Sequence, residues 1–219
     1  MANLKPLVIV GAGSHGLELW DIVRDINQAK PTFKVIGFVD DGPVKQENLA
    51  VRGVPLLGPI EALADLDALY VLGIGNPVAR ASVGRRVEHF GLEMATLIHP
   101  TVAQRSFVKI GRGSVIMTYS SLSYDVVIGE HVVVHTLTAI GHEVVIGNFR
   151  SVSSRSCLSG RVKVGERVLI GTGTAVVPNV SIQDDSIVGA GSAVTKDIPP
   201  GVTVAGVPAR VIRSNEIRR

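Results

Sequence analysis

The chain has 219 residues, a formal net charge of +3, and 46% hydrophobic residues against only 4% aromatics. It has no run of roughly 18 uncharged apolar residues and no basic leader with a cleavage site, so neither a membrane span nor a signal peptide is expected. Scattered basic residues without an aromatic platform argue against nucleic acid and leave small anionic ligands as partners. The single cysteine, Cys157, excludes an intramolecular disulfide, fits a reducing, cytoplasmic setting, and reads as a small residue of a repeat.

Leu7 to Val10 is a short buried-strand pattern that runs into Gly11-Ala12-Gly13-Ser14-His15-Gly16. A helix is predicted next, with Leu19, Trp20, Ile22, Val23 and Ile26 on its apolar face. Phe33 to Val39 reads as a second strand ending at Asp40-Asp41. Residues 54–57, a helix near 60–64, a strand over 69–74, a helix over 78–90 and a strand over 94–98 continue the alternation. Strands alternating with helices imply a parallel, Rossmann-like α/β sheet. The domain boundary falls at Ile98-His99, giving units of 1–98 and 99–219.

Beyond that boundary the pattern changes. An aliphatic residue recurs at every sixth position from Ile110 to Val194, fifteen times without a slip. A small or β-branched residue follows four positions later in all but one repeat, the exception being Arg150. Neither helix nor flat sheet has a period of six; a hexapeptide parallel β-helix does, with three hexapeptides per triangular coil. At roughly 4.8 Å per stacked strand, five such coils make a column on the order of 24 Å tall. A lone guanidinium inside that prism would be costly, so Arg150 is expected to swing out to solvent or to an anion. The tail after Pro200, with Gly206-Val207-Pro208-Ala209, is too interrupted for another coil and is expected to cap the column.

Gly11-x-Gly13-x-x-Gly16 follows a strand and opens a helix, the context in which such a motif binds anions through free N–H groups. The half-size α/β unit favours a mononucleotide or nucleotide sugar over a dinucleotide, and a purely structural tight turn remains an alternative. Asp40 and Asp41 would accept hydrogen bonds from a ribose or a base.

Six histidines occur. His89 and His99 are expected to be solvated. His131, His135 and His142 fall within one coil, but their spacing does not converge on a tetrahedral metal site, and no metal is expected. His142 is the candidate base: it is third in its hexapeptide, Glu143 is adjacent, and the residue stacked on it in the next coil is Gly160. That arrangement supplies an imidazole, a carboxylate and an open backbone N–H, the parts of a general base with an oxyanion donor.

Taken together, Gly11–Gly16, Phe38-Val39-Asp40-Asp41, Ile74-Gly75-Asn76, Leu97-Ile98-His99-Pro100, His142-Glu143 and Gly206-Val207-Pro208-Ala209 resemble the sialic acid O-acetyltransferase and bacillosamine N-acetyltransferase family of sugar acyltransferases. The resemblance implies a left-handed β-helix, a homotrimer, and acetyl-CoA as co-substrate. It carries His142 over as general base and Glu143 as its tuning carboxylate. Gly13, Ser14, His15, Asp40, Asp41 and Gly75 map onto the nucleotide-sugar seat, and Ser151, Gly160, Thr172 and Ala190 onto the acyl-CoA groove. Ser151 stands where N-acetylating members often carry a second histidine, and His135 replaces a common asparagine. The implied reaction is N-acetylation of a nucleotide-linked amino sugar. O-acetylation of sialic acid or a related hydroxyl is the alternative, and a non-catalytic sugar-nucleotide scaffold is the alternative of another class.

Overall fold

The computed structural model describes residues 4–215. The chain divides into two compact units, Met1–Pro100 and Thr101–Arg219. No helix among the described residues is long and apolar enough to cross a membrane.

In the first unit, β1 (Lys5–Val10), β2 (Phe33–Val39), β3 (Leu56–Gly58) and β4 (Leu69–Leu72) form a parallel sheet in the order β3-β2-β1-β4. Leu7, Val8, Ile9 and Val10 are all fully buried, as a central strand covered on both faces requires. Helix α1 (Ser14–Ala29) buries Leu19, Ile22 and Val23. A short helix α2 (Gln46–Ala50), absent from the sequence expectations, precedes β3, and a 3-10 helix (Ile60–Asp65) follows it. Helix α3 (Pro77–Glu88) starts at Asn76, whose Oδ1 accepts from the N–H groups of Val78 (2.9 Å) and Ala79 (3.0 Å), with proline at the first turn. The Ile74-Gly75-Asn76 motif thus contains a helix cap.

The glycine loop is packed backbone to backbone. A Cβ on Gly16 would lie 1.9 Å from the Gly11 carbonyl oxygen, and one on Gly73 would lie 2.6 Å from the Gly16 Cα. Only glycine fits at both positions. Gly73 is not visible in the sequence as part of the motif, since it lies on another strand's end. His99 is not solvated as expected: it is only 6% exposed, with Nε2 3.3 Å from a carboxylate oxygen of Asp25 on α1.

The second unit is a left-handed parallel β-helix of two-residue strands. Strands stack coil on coil in a constant register, for example Val127↔Val145 and Ile128↔Ile146 on one face, and Ala139↔Cys157 and Ile140↔Leu158 on another. The periodic aliphatics from Ile116 to Val194 are buried in one continuous core. The small or β-branched residues four positions on are buried as well, among them Ser114, Val132, Thr138, Ser156 and Thr174. Cys157 instead takes an outward step and is exposed.

Every turn between strands needs a residue in the left-handed region. Twelve non-glycine residues, spaced by six or multiples of six, have φ between 54° and 66°, including His131, Glu143, Phe149, Arg161 and Asn179. Each costs roughly 1–2 kcal/mol relative to a right-handed conformation. At most of these corners the residue's own N–H is bonded to the coil below, as Glu143 N–H is to Tyr124 O (3.0 Å).

Arg150 overturns the expectation that it would swing out. It is 1% exposed. Its Nη1 donates to the Asn148 carbonyl and its Nη2 to the Val164 carbonyl (3.4 Å). Gly147 makes the room: a Cβ there would fall 2.3 Å from Nη2. Burial pulls the guanidinium pKa down from its ordinary value to about 9, while Glu166 and Asp184 act in the opposite direction. The tail behaves as a cap, with Val202–Ala205 pairing with Ile187–Val188 and turning into the antiparallel strand Arg210–Ser214.

Candidate active site

The corner at residues 140–143 brings His142 and Glu143 together. Nδ1 of His142 lies 2.8 Å from Oε2 of Glu143. A carboxylate can only accept, so Nδ1 carries the proton and Nε2 presents its lone pair. The Glu143 carboxyl is held below its ordinary value of 4.5, chiefly by this hydrogen bond and secondarily by the charge of Arg161, so it stays an acceptor. The imidazole remains 35% exposed, within reach of a ligand.

Stacked coils hold the ring from both sides. Tyr124, at the equivalent position one coil earlier, lies 5.3 Å from it centroid to centroid and within 10° of parallel, an offset stack. Gly160, at the equivalent position one coil later, faces the edge bearing Nε2, and a Cβ there would be only 2.3 Å from that nitrogen. Both neighbours follow from the coil register. The sequence reading reaches Gly160 alone, because it looks to the later coil and not to the earlier one.

The same column explains the open N–H. At the equivalent position of another corner, Glu130 N–H donates to Asn148 Oδ1 (2.8 Å), and Glu166 N–H donates to Asp184 Oδ1 (2.5 Å). In each case the acceptor is the side chain one coil on. From His142 that residue is Gly160, and from Gly160 it is Pro178, and neither has a side-chain carbonyl. The backbone donor is therefore available beside the imidazole. A proton acceptor and an N–H donor set on one rigid corner can serve addition to a carbonyl.

The other expected residues are dispersed over the column. Thr172 and Ala190 are exposed and stacked in successive coils on a different corner from Gly160, not at one height with it. Ser151 is buried in a strand, its N–H donating to Val168 O at 3.2 Å. The three clustered histidines separate as well: His131 is buried and stacked on Phe149 at 4.9 Å, and neither it nor His135 shares the His142 corner. Among the described residues no group of three or more His, Cys, Asp or Glu side chains is arranged to hold a metal ion.

In the α/β unit, Gly13, Ser14 and His15 form the start of α1, with Gly13 as its cap. Asp40 is committed to that loop: Oδ2 accepts from Ala12 N–H (2.7 Å) and Oδ1 from Gly42 N–H (2.8 Å). Asp41 accepts from Ile60 N–H (2.9 Å) and pairs with Arg86 (2.5 Å), which also pairs with Glu61. The two aspartates thus first shape the strand end where they were expected to await a ligand. Gly75 lies beside His15, 3.9 Å from its Cβ when given a Cβ of its own. Its carbonyl, with that of Ile74, accepts from the buried Arg80 (3.1 and 2.8 Å), an anchor with no sequence signature.

Residues 6–87 match the family model of the PglD N-terminal domain. The chain is 34% identical over 119 residues to UDP-N-acetylbacillosamine N-acetyltransferase of Bacillus subtilis, a match that spans 52% of this chain and about half (52%) of that protein. Among solved structures, a histidine-to-asparagine variant of perosamine N-acetyltransferase from Caulobacter crescentus, in complex with CoA and GDP-perosamine, is 30% identical with a TM-score of 0.85. That alignment covers 95% of this chain and 97% of the other. The acetyltransferase domain of PglB from Neisseria gonorrhoeae, in complex with acetyl coenzyme A, is 29% identical with a TM-score of 0.85, covering 96% and 100%. A parallel α/β unit joined to a triangular β-helix defines a hexapeptide-repeat protein. Within that class, the chain belongs to the sugar acyltransferase family of the bacillosamine and perosamine N-acetyltransferases.

Proposed function

We propose that the protein transfers an acetyl group from acetyl-CoA to the amine of a nucleotide-linked amino sugar, with His142 as general base. The observation that carries this reading is the 2.8 Å contact from His142 Nδ1 to Glu143, which leaves Nε2 free beside the open N–H of Gly160. Relatives crystallised with CoA and GDP-perosamine, or with acetyl coenzyme A, support the two substrates.

In this reaction Nε2 takes the proton of the acceptor amine as the nitrogen attacks the thioester carbonyl. Glu143 stabilises the imidazolium that results, and the Gly160 N–H donates to the oxygen that gains charge. The C–S bond then breaks and the imidazolium returns its proton to the departing thiolate. The amide and free CoA leave, and His142 is restored.

Residues 1–98 are assigned to nucleotide-sugar binding, with Gly13, Ser14, His15, Asp40, Asp41 and Gly75 around the seat, and residues 99–219 to acyl transfer. The exposed corner of Thr172 and Ala190 is assigned to the acyl donor; Ser151, being buried, is not given a contact with it. A cytoplasmic homotrimer fits both the family and a prism whose flat faces can pack about a threefold axis. Thiol release from acetyl-CoA, measured against a panel of nucleotide-linked amino sugars and free sialic acid, tests the reaction. Release with sialic acid alone would replace N-acetylation by O-acetylation, and release with none would refute the proposal. Light scattering giving three times the chain mass of 23.1 kDa supports the trimer, and a monomeric mass refutes it.

A further inference from the structure

Glu143, Arg161 and Asn179 occupy the same corner of three consecutive coils, each in the left-handed region (φ 58°, 61° and 66°). Their backbones are locked in step: Arg161 N–H donates to His142 O (2.8 Å), and Asn179 N–H donates to Gly160 O (3.0 Å). The side chains then connect along the column. Asn179 Oδ1 accepts from Arg161 Nε at 2.7 Å, and Arg161 Nη1 lies 3.4 Å from Glu143 Oε2, the oxygen that also meets His142 Nδ1.

We infer that Arg161, braced by Asn179, is a positioning residue that holds the Glu143 carboxylate on His142 and thereby fixes the tautomer of the imidazole. The inference rests on the reading of His142 as the base. A glutamate on the surface has three rotatable bonds and a well-solvated charge, so on its own it has little reason to stay on one neighbouring nitrogen. A cation on the far side of the shared oxygen removes that freedom. Both side chains are about half exposed, where an ion pair adds little to global stability. Its consequence is orientation of the carboxylate, and through it the position of the imidazole proton. Asp125, one coil below Glu143 on the same corner, carries like charge and cannot serve as the anchor.

The test compares the intact protein with Arg161→Met, Arg161→Lys and Asn179→Gly, the last keeping the charge and suiting the positive φ. Nitrogen-15 chemical shifts of the His142 ring, assigned by its loss in His142→Ala and recorded without substrate, read the tautomer. Arg161→Met is expected to convert a single Nδ1–H tautomer into a mixture and to lower kcat about 10-fold, less than the loss of a positioned base. Its acetyl-CoA KM and melting temperature should stay unchanged, with partial recovery in the lysine variant. Asn179→Gly should show the same tautomer change in smaller degree, and it carries the test alone if Arg161→Met fails to fold. An unaltered tautomer in the folded variants overturns the inference whatever the rate does. A raised acetyl-CoA KM at unchanged kcat also overturns it, making Arg161 a donor contact. Because the tautomer is read without substrate, failure of this inference is distinct from failure of the acyltransfer reading, which the thiol-release panel decides.

Discussion

A Cβ on Gly160 would stand 2.3 Å from Nε2 of His142, the nitrogen that faces the next coil. The absence of one side chain therefore sets the position of another. Gly160 is buried against the imidazole, and the ring is held between it and Tyr124.

This relation predicts that Gly160→Ala injures chemistry far more than folding. The clash is with a side chain that can rotate out of the way, so stability should change by less than about 1 kcal/mol. The displaced ring should lower kcat about 100-fold, the usual consequence of a misplacement on the order of 1 Å. Parallel measurements of kcat and melting temperature check this, and retention of near-normal kcat would show that the ring has room the structure does not.

Asp41 supplies a pH-dependent contribution. Its carboxyl is held below its ordinary value of 3.8, first by the Ile60 N–H and then by Arg86. A depressed acid stabilises the fold at pH values above its unfolded value, and that contribution is lost as pH falls through the folded one. Asp41→Asn should therefore lower the melting temperature slightly at pH 7, and the gap should close as the pH drops below about 3.8. A gap that persists at acid pH would assign the effect to something other than charge.

Arg150→Ser restores the repeat pattern yet should destabilise the β-helix. The arginine satisfies the Asn148 carbonyl, the Val164 carbonyl being held already by the Gly147 N–H (3.0 Å), and orphaning a buried acceptor costs roughly 1–3 kcal/mol. Chemical denaturation measures this. No loss, or a gain, would show that water or a shifted backbone satisfies that group equally well.

The column was legible because a strict period of six has one structural solution, and the aliphatic series marks it residue by residue. The corners were less so. Phe107, Tyr119, Arg155 and Arg167 are not residues that favour a positive φ, and only the coil geometry places them there. Arg150 misled because the pattern measures what usually fills a slot, and it is blind to the space opened by Gly147 and to carbonyls that a guanidinium can reach. At the site, His142, Glu143 and Gly160 could be read from adjacency and the coil register. Arg161 and Asn179 follow from that register too, but a corner's side-chain column becomes meaningful only once the residues at it are known. In the α/β unit the glycine loop was evident, whereas Gly73 and Arg80 act from other elements and left no local mark.

The most direct measurement of the central claim is kcat for His142→Asn in the thiol-release assay, using a nucleotide-linked amino sugar that the wild type accepts. The account predicts a fall of roughly 10²–10⁴-fold, the worth of a positioned base, with the acetyl-CoA KM little changed. Retention of more than about a third of the wild-type kcat would contradict it, since that lies far above the range for loss of a general base.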